Sequence, residues 1–178
     1  YSNYGEPLDR HPVDIGRLRA VLERAAEAAD WAGRRRAGRA LGLAVHRSFC
    51  SYVAGIAEVA VAADGSLTIP RVDVAADCGL AIHPDRVRAQ MEGAVIFGVS
   101  LARFGAITAK AGRIEQSNFH DYRLARMNEA PREIRVHLLD SNAPPAGVGE
   151  AGVPPVAPAL ANARFAATGK RGRDLPLG

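Results

Sequence analysis

The chain has 178 residues, of which 48% are hydrophobic and 24% are charged, and its formal net charge is +4 with a pI near 9.5. These proportions are typical of a globular protein that buries a core, either as one domain or as a domain with a docked extension. No apolar run reaches the ~18 residues of a membrane span, so we predict no membrane-spanning segment. The chain starts at Tyr1, which predicts a processed chain or a piece of a longer parent, whose compartment is left open.

The N-terminal part predicts an arm, a helix and a linker. Residues 1–12 are polar and contain prolines, which favours an extended arm. From Asp14 to Trp31, apolar residues recur at three- and four-residue spacing, which predicts an amphipathic helix that is stopped at Gly33. The arginine run that follows predicts a linker. We therefore expect residues 1–38 to form an N-terminal extension and residues 39–178 to form the main domain.

The middle of the chain predicts an antiparallel β-meander. Strand-like segments run from Leu41 to His46, from Tyr52 to Ala62 and from Leu67 to Ala76. Asp64-Gly65 suits the hairpin turn between the last two segments. The later part of the chain predicts helices alternating with short strands, namely a helix from Pro84 to Phe104, a short hairpin over Ile107–Ile114, a strand over Ile134–Leu139 and a helix over Pro158–Thr168. The predicted fold class is α+β, with a mixed or antiparallel sheet and packed helices.

Two basic clusters raise the question of a nucleic-acid partner. They are Arg34-Arg35-Arg36 with Arg39, and Lys170-Arg171 with Arg173. Only 6% of the residues are aromatic, and none is interleaved with the basic residues as a stacking platform would be. We therefore predict a solvated basic surface and no nucleic-acid partner, with a salt-sensitive basic binder as the weaker alternative.

The cysteines and histidines do not indicate a metal site. Cys50 and Cys78 lie in apolar, strand-like contexts and show no zinc-ligand spacing with each other or with histidine. We predict two buried free thiols, while a single disulfide stays open. We therefore predict that no residue of this chain binds a metal ion. No serine-hydrolase elbow surrounds Ser48 or Ser51.

Glu150 is the candidate catalytic residue. It is the only acid in a stretch of glycine, proline and small apolar residues, residues 147–158. Gly147 and Gly149 allow the backbone to approach a ligand closely, and the prolines stiffen the chain after Glu150. Sheltering from water raises the pKa of a carboxylate towards the range that suits a general base. The plain alternative is a solvated acid in a surface loop.

The same stretch contains G-x-G-x-x-G, but a dinucleotide fingerprint is rejected. That fingerprint needs a strand directly before it and a helix directly after it, whereas prolines lie on both sides here. A second candidate site is Gln90, because its amide can bind the polar edge of a cofactor. Gly93, which is costly inside a helix, would allow that cofactor to approach. The alternative is an exposed glutamine without a ligand.

Six motifs in a fixed order point to a known family. They are Ala76-Asp77-Cys78-Gly79, His83-Pro84-Asp85, Gln90-Met91-Glu92-Gly93, Gln116-Ser117-Asn118-Phe119-His120-Asp121-Tyr122, Gly147-Val148-Gly149-Glu150 and Ala159-Leu160-Ala161-Asn162-Ala163. The ordered set resembles the C-terminal part of the molybdopterin-binding large subunit of molybdenum hydroxylases. The branch of isoquinoline 1-oxidoreductase β-subunits is the most similar, with aldehyde and xanthine dehydrogenases as wider relatives. The resemblance covers about residues 14–176.

The resemblance implies an oxidoreductase and assigns roles to the candidate residues. Glu150 would be the general base for hydroxylation of an aldehyde or an N-heteroaromatic substrate by a water-derived oxygen. Gln90 would contact molybdopterin, possibly in its cytosine dinucleotide form, with Gly93, Gly147 and Gly149 near the cofactor. The resemblance also implies two partners, the remainder of the large subunit and an iron–sulfur small subunit.

Departures from the family pattern and the short length limit what this chain can do alone. His83 stands where Asn is usual, Ala94 where a second Gly is common, and Ala151 where Pro usually follows the acid. The upstream cofactor-binding loops of the family are absent from the sequence. We therefore expect the isolated chain to bind no cofactor and to be inactive. A non-catalytic docking or assembly domain that keeps the fold is the alternative. In the enzymatic case we expect Glu150 and Gln90 to share one concave, glycine-walled surface, and in the alternative we expect them on unrelated faces.

Overall fold

The computed structural model of the protein describes residue 9, residues 13–36 and residues 39–177. The predicted arm over residues 1–12 lies almost entirely outside the described residues. The elements are, in chain order, α1 (Ile15–Ala28), α2 (Trp31–Arg36), β1 (Ala40–Ser48), β2 (Ser51–Val61), β3 (Leu67–Asp77), α3 (Pro84–Phe104), β4 (Ala109–Lys110), β5 (Arg113–Ile114), a 3-10 turn (Met127–Glu129), β6 (Ile134–Leu138) and α4 (Val156–Thr168).

The main sheet has four strands in the order β1-β2-β3-β6. The first three strands form the predicted antiparallel meander, with β1 and β2 paired from Ala40↔Val59 to Ser48↔Ser51. The last strand, β6, returns parallel to β3, with Val72 opposite Ile134. The short strands β4 and β5 form a separate hairpin. The sheet is therefore mixed, and the predicted α+β class is confirmed.

Helices α3 and α4 cover one face of the sheet. Alternate residues of the strands face these helices. Against these strand residues the helices bury four side chains completely, namely Met91, Val95 and Val99 of α3 and Leu160 of α4. On β1, Gly42 lies so close to α4 that a Cβ added there would be 2.0 Å from the carbonyl oxygen of Ala159. This contact fixes α4, and with it the loop before α4, on the sheet.

Helix α1 covers the opposite face, and an ion pair joins it to β3. Arg17 donates from Nη2 to Asp77 Oδ1 at 2.6 Å and from Nε to Oδ2 at 2.7 Å, and Asp77 is only 4% exposed. The Arg17 guanidinium also lies 4.6 Å from the ring centroid of Tyr52. The Tyr52 hydroxyl accepts a hydrogen bond of 2.7 Å from the amide of Asp14, the N-cap of α1. The start of α1 is therefore held by specific polar contacts as well as by apolar packing.

Two more buried carboxylates lie on the same face of the sheet. Glu58 on β2 is 3% exposed and pairs with Arg34 and with Arg39, whose Nε is 2.8 Å from Oε1. Asp73 on β3 is 2% exposed and accepts from Arg71 Nη2 at 2.7 Å, and its Oδ1 is 3.1 Å from His137 Nε2. Two arginines of the first basic cluster, Arg34 and Arg39, therefore pair with a buried acid of this layer.

Three local predictions differ from the structure. The first helix ends at Ala28, because Asp30 takes φ 47°, and the side chain of Asp30 accepts a hydrogen bond from the amide of Gly33. Residues 31–36 therefore form the short helix α2, so the prediction of a linker was wrong for residues 34–36, while residues 37 and 38 lie outside the described residues. The prediction that Cys50 is buried was also wrong: it lies exposed in the turn between β1 and β2, whereas Cys78 is buried, and both thiols are free.

Candidate active site and cofactor surface

The loop that carries Glu150 is tied to two other elements before it reaches the acid. The amide of Ala146 donates to the carbonyl oxygen of Cys78 at 2.9 Å, just after β3. The amide of Gly147 donates to the carbonyl oxygen of Phe49 at 3.0 Å, in the β1–β2 turn. The fully buried Ser51 hydroxyl donates to the carbonyl oxygen of Gly147 at 2.7 Å. The backbone before Glu150 is therefore fixed by the ends of three strands.

The backbone after Glu150 is fixed by α3. A turn forms where the amide of Val153 donates to the carbonyl oxygen of Glu150 at 2.9 Å. Gly152 is buried against α3, where an added Cβ would lie 2.9 Å from Ala94 Cβ and 3.0 Å from Met91 Sδ. Glu150 is thus held at a tight bend between two anchored segments, and its side chain is exposed. The described residues of this chain do not supply the sheltered environment that the sequence suggested.

Glu150 lines a depression of about 420 Å³ at the junction of β1, α3 and the loop. The wall is mainly apolar, and His46 and Ser48 on β1 are its other polar residues. The hydroxyl oxygen of Ser48 is buried and has no hydrogen-bond partner among the described residues. The remaining lining residues are Phe49, Phe97, Leu101, Val153 and Pro154.

Gln90 lines a second depression, of about 220 Å³, on the other side of the same loop. His83 and Arg86 from the start of α3 lie beside it, and Ala146 and Val148 of the loop form the facing wall. At its base, burial raises the pKa of the Cys78 thiol, so that this thiol stays neutral. The Gln90 side chain is exposed.

The loop therefore separates the two side chains that were expected to share one concave surface. From this loop, Pro145, Ala146 and Val148 line the depression of Gln90, and Glu150, Val153 and Pro154 line the other depression. Both depressions are open and both side chains are exposed, so a molecule lying across the loop could contact both. Among the described residues, Glu150 and Gln90 line two different depressions.

The three candidate glycines differ in what surrounds them. A Cβ added at Gly93 or at Gly149 would meet no atom of the described residues within 4 Å. A Cβ added at Gly147 would lie 2.7 Å from Phe49 Cβ, so packing within the chain explains that glycine. The backbone is therefore uncovered by the described residues at Gly149 and at Gly93, and Gly93 lies three residues after Gln90 on α3. Among the described residues, no group of three or more His, Cys, Asp or Glu could hold a metal ion.

His46, Ser48 and Phe97 are part of the site but were not predicted. His46 and Ser48 are two residues apart on β1 and therefore share a face, a signal that is readable from strand alternation. Their proximity to Glu150 is not readable in this way, because the residues come from elements separated by about 50 residues of chain each.

The structure defines a class, an α+β domain with a mixed sheet and an exposed acid on an anchored loop. The chain belongs to the molybdopterin cofactor-binding domain family, whose model matches residues 22–131. It is 38% identical over 182 residues to isoquinoline 1-oxidoreductase subunit beta of Brevundimonas diminuta, covering 96% of this chain and 23% of that protein. It is 32% identical over 186 residues to the membrane-bound aldehyde dehydrogenase [pyrroloquinoline-quinone] of Gluconacetobacter polyoxogenes, covering 99% of this chain and 24% of that protein.

Solved structures agree with this assignment at the level of the fold. Quinoline 2-oxidoreductase from Pseudomonas putida 86 superimposes with a TM-score of 0.65 at 19% identity, over 71% of this chain and 17% of that chain. The aldehyde oxidoreductase from Desulfovibrio desulfuricans ATCC 27774 gives a TM-score of 0.59 at 27% identity, over 71% and 14%.

The predicted family is confirmed, and the chain spans about a quarter of the length of each of these two curated relatives. In the part of the chain that the structure describes, no helix combines the length and apolar character needed to cross a membrane.

Proposed function

We propose that this chain is the part of a larger molybdopterin-dependent oxidoreductase that supplies the general base, Glu150, and one wall of the cofactor site. The observation that carries the proposal is the position of Glu150. Its backbone is tied to the ends of the strands and to α3, while its carboxylate points out of the chain into a mainly apolar depression. An acid held in this way is ready to serve a reaction that is completed by groups outside the chain.

Each residue of the proposed site has a separate task. A bound molybdenum–pterin centre supplies the oxidising power and the water-derived oxygen for hydroxylation of an electron-poor carbon. Glu150 accepts a proton from the oxygen nucleophile at a carboxylate oxygen. Gln90 hydrogen-bonds the edge of the pterin through its amide, and the bare backbone of Gly93 and Gly149 allows the cofactor to approach. The apolar wall around Glu150 excludes water from the substrate.

The remainder of the enzyme supplies what the chain lacks. Exposure of Glu150 and Gln90 in two open depressions supports a site that is closed only when the rest of a large subunit covers both. We propose that an iron–sulfur subunit accepts the electrons, and that the substrate is an aldehyde or an N-heteroaromatic compound. The cytosine dinucleotide form of the cofactor is part of the same proposal.

The proposal is tested in the full-length parent, produced with its iron–sulfur partner. Glu150→Gln should lower turnover by about 10²–10⁴-fold, the usual contribution of a general base, while the molybdenum content stays equal to that of the wild type. The matched control is Glu133→Gln, which removes an exposed carboxylate paired with Arg135 and should leave turnover unchanged. Turnover within a few-fold of wild type for Glu150→Gln would exclude its role as the base and favour a non-catalytic docking domain.

A separate measurement tests the cofactor wall. Gln90→Ala should lower the molybdenum and pterin content of the purified parent, because one hydrogen-bonding edge of the cofactor is lost. The isolated chain should bind neither, since it holds only one wall of the enclosure. Stoichiometric molybdenum on the isolated chain would contradict this part of the proposal.

A further inference from the structure

The strands β4 and β5 form a hairpin whose apolar face is left open by the described residues. Ala109 lies opposite Ile114, and the pairing continues where the amide of Glu115 donates to the carbonyl oxygen of Thr108 at 2.9 Å. Strand alternation then places Ile107 on the same face as Ala109 and Ile114. Ile107 is 59% exposed and Ile114 is 60% exposed. An isolated two-stranded hairpin is only marginally stable in water, so this face calls for a cover from outside the described residues.

The other face of the hairpin carries two cations directly opposite each other. Lys110 pairs with Arg113 across the turn Ala111-Gly112, in which both residues take positive φ. The Lys110 and Arg113 side chains are exposed, and neither has an ion-pair partner among the described residues. Like charges directly opposite each other on neighbouring strands are destabilising. A carboxylate from outside would relieve this repulsion, so the charge of the hairpin is complementary to an acidic surface.

The turn after β5 is held by one carboxylate and presents an aromatic ring to the outside. Asp121 accepts hydrogen bonds of 2.9 Å from the amides of Ser117 and Asn118 and from the Ser117 hydroxyl. The amide hydrogen bonds, that of Asn118 foremost, lower the pKa of Asp121 to about 2, so the carboxylate keeps its charge and the turn keeps its shape. Phe119 lies within this turn and is 74% exposed. A ring on a fixed turn loses little conformational freedom when it binds a partner.

Gln116 joins the turn to the hairpin. Its Oε1 accepts from the amide of Thr108 at 2.7 Å, and its Nε2 donates to the Thr108 hydroxyl at 2.9 Å. The hairpin and the turn therefore form one fixed unit, residues 107–121, which we call the docking hairpin. An exposed aromatic anchor with apolar neighbours and charged residues beside them is typical of protein interfaces.

The charge of the docking hairpin favours a separate chain as its partner. Exposed charges steer the encounter of separate molecules, whereas segments of one chain are already held together and gain little from steering. The matching surface has an apolar pocket for the ring of Phe119 and carries carboxylates that face Lys110 and Arg113.

We propose that the docking hairpin binds an acidic surface of the iron–sulfur subunit, with Phe119 as the anchor and with Lys110 and Arg113 paired with carboxylates. The inference rests on the proposed function, because that function supplies the separate subunit, and it adds the place where the subunit docks. The docking hairpin takes no part in the chemistry at Glu150. Its contribution should therefore appear in the affinity between the subunits.

The test measures the dissociation constant, Kd, between the full-length large subunit and its iron–sulfur subunit, by sedimentation of the purified complex over a dilution series. Phe119→Ala should raise Kd about 30-fold, as expected for the loss of an aromatic anchor. Lys110→Gln combined with Arg113→Gln should raise Kd about tenfold at low salt and less than about threefold in ~0.5 M salt, because salt screens exposed charges.

A conservative variant and two matched controls separate docking from folding and from total charge. Phe119→Tyr keeps the ring and should leave Kd within about threefold of wild type. Leu175→Ala removes an apolar side chain that is 58% exposed in the segment after α4, and it should leave Kd unchanged. Lys170→Gln combined with Arg173→Gln removes the same charge from the second basic cluster and should also leave Kd unchanged. Equal Tm of the large subunit in all variants establishes that the fold is intact.

Four results would overturn the inference. The first is an unchanged Kd in Phe119→Ala. The second is an equal rise of Kd in the two paired charge variants, which would reduce the effect to total charge. The third is a lower Tm of the Phe119→Ala large subunit with an unchanged Kd, because another part of the same chain would then cover the hairpin. The fourth is self-association of the large subunit that Phe119→Ala abolishes, because a second copy would then be the partner.

The inference and the proposed function can fail separately. If Glu150→Gln abolishes turnover while the Phe119 and charge variants bind as wild type, the inference fails and the proposed function stands. If Glu150→Gln retains turnover while Phe119→Ala weakens the complex, the role of Glu150 as the base fails and the docking site stands.

Discussion

Replacing Gly42 with alanine should force α4 away from β1. Gly42 is buried, and its new Cβ would lie 2.0 Å from the carbonyl oxygen of Ala159 and 2.2 Å from the amide nitrogen of Ala163. Both are main-chain atoms of α4, so no side chain can rotate to relieve the contact. The helix would have to retreat by roughly 1.4 Å, the difference between 2.0 Å and the 3.4 Å at which ordinary contact begins.

The cost follows from what α4 buries. Its inward face carries Val156, Ala159, Leu160 and Ala163, all of which lose contacts if the helix moves as a unit. Insertion of a methyl group into a packed interior usually costs about 1–3 kcal/mol. Because the obstruction here is main chain, we expect the upper end, about 3 kcal/mol. For a chain of this length, that cost lowers Tm by about 6–12 °C.

The same substitution at Gly93 is the matched control and should have the opposite sign. Gly93 lies inside α3, is exposed, and has no atom within 4 Å of an added Cβ. Alanine is favoured over glycine in a helix interior by about 0.8–1.0 kcal/mol, so Tm should rise by about 2–4 °C.

Both predictions are tested by thermal unfolding of the Gly42→Ala and Gly93→Ala variants, monitored by circular dichroism in one buffer. The expected order of Tm is Gly93→Ala above wild type and Gly42→Ala well below it. A Gly42→Ala variant that melts within about 2 °C of wild type would refute the close approach of α4 and β1. A Gly93→Ala variant that melts below wild type would refute the open surface at α3.

Three other predictions use different measurements. Gly93→Ala in the full-length parent should lower the pterin content even though it stabilises the isolated chain, and unchanged content would argue against cofactor contact there. Ser51→Ala removes the hydrogen bond to Gly147, so stability should fall by about 1 kcal/mol and amide exchange around residues 147–150 should accelerate; unchanged exchange would contradict the anchoring role. Burial alone would raise the pKa of Asp77, but the hydrogen bonds from Arg17, Gly79 and Ser141 and the charge of Arg17 together outweigh it and hold that pKa below its ordinary value. A depressed pKa contributes stability above the ordinary value that is lost as the pH falls below it. The urea midpoint should therefore drop as the pH falls below about 3.8, and less steeply in Asp77→Asn; equal slopes would count against the ion pair.

The strands and α3 could be predicted because their patterns are local. Strand-like apolar segments and the Asp64-Gly65 turn predicted the three meander strands, and Pro84 marked the start of α3. The break after α1 could not be predicted in the same way. It depends on Asp30 taking a left-handed conformation and accepting from the amide of Gly33, a choice between two short-range arrangements that helical periodicity does not report.

The candidate site likewise has some features that local sequence patterns predict and others that they do not. Glu150 and Gln90 could be singled out because each lies in a short motif with unusual composition. Their separation by the loop depends on hydrogen bonds to Cys78 and Phe49, which are distant in sequence. Cys50 was expected inside the protein because its neighbours are apolar. It is exposed because residues 49 and 50 form the two-residue turn of the β1–β2 hairpin, both at positive φ.

Three buried carboxylates, those of Glu58, Asp73 and Asp77, lie on the sheet face that α1 covers, and they limit which substitutions this face tolerates. A purely apolar layer accepts the exchange of one hydrophobic residue for another of similar volume. Here the loss of Arg17 or of Arg34 leaves Asp77 or Glu58 inside the protein with fewer or no cationic neighbours, which is far less tolerable. Viable substitutions must therefore come in pairs, an acid together with its base. We expect this side of the sheet to be inherited nearly unaltered while the side that carries Glu150 diverges with the substrate.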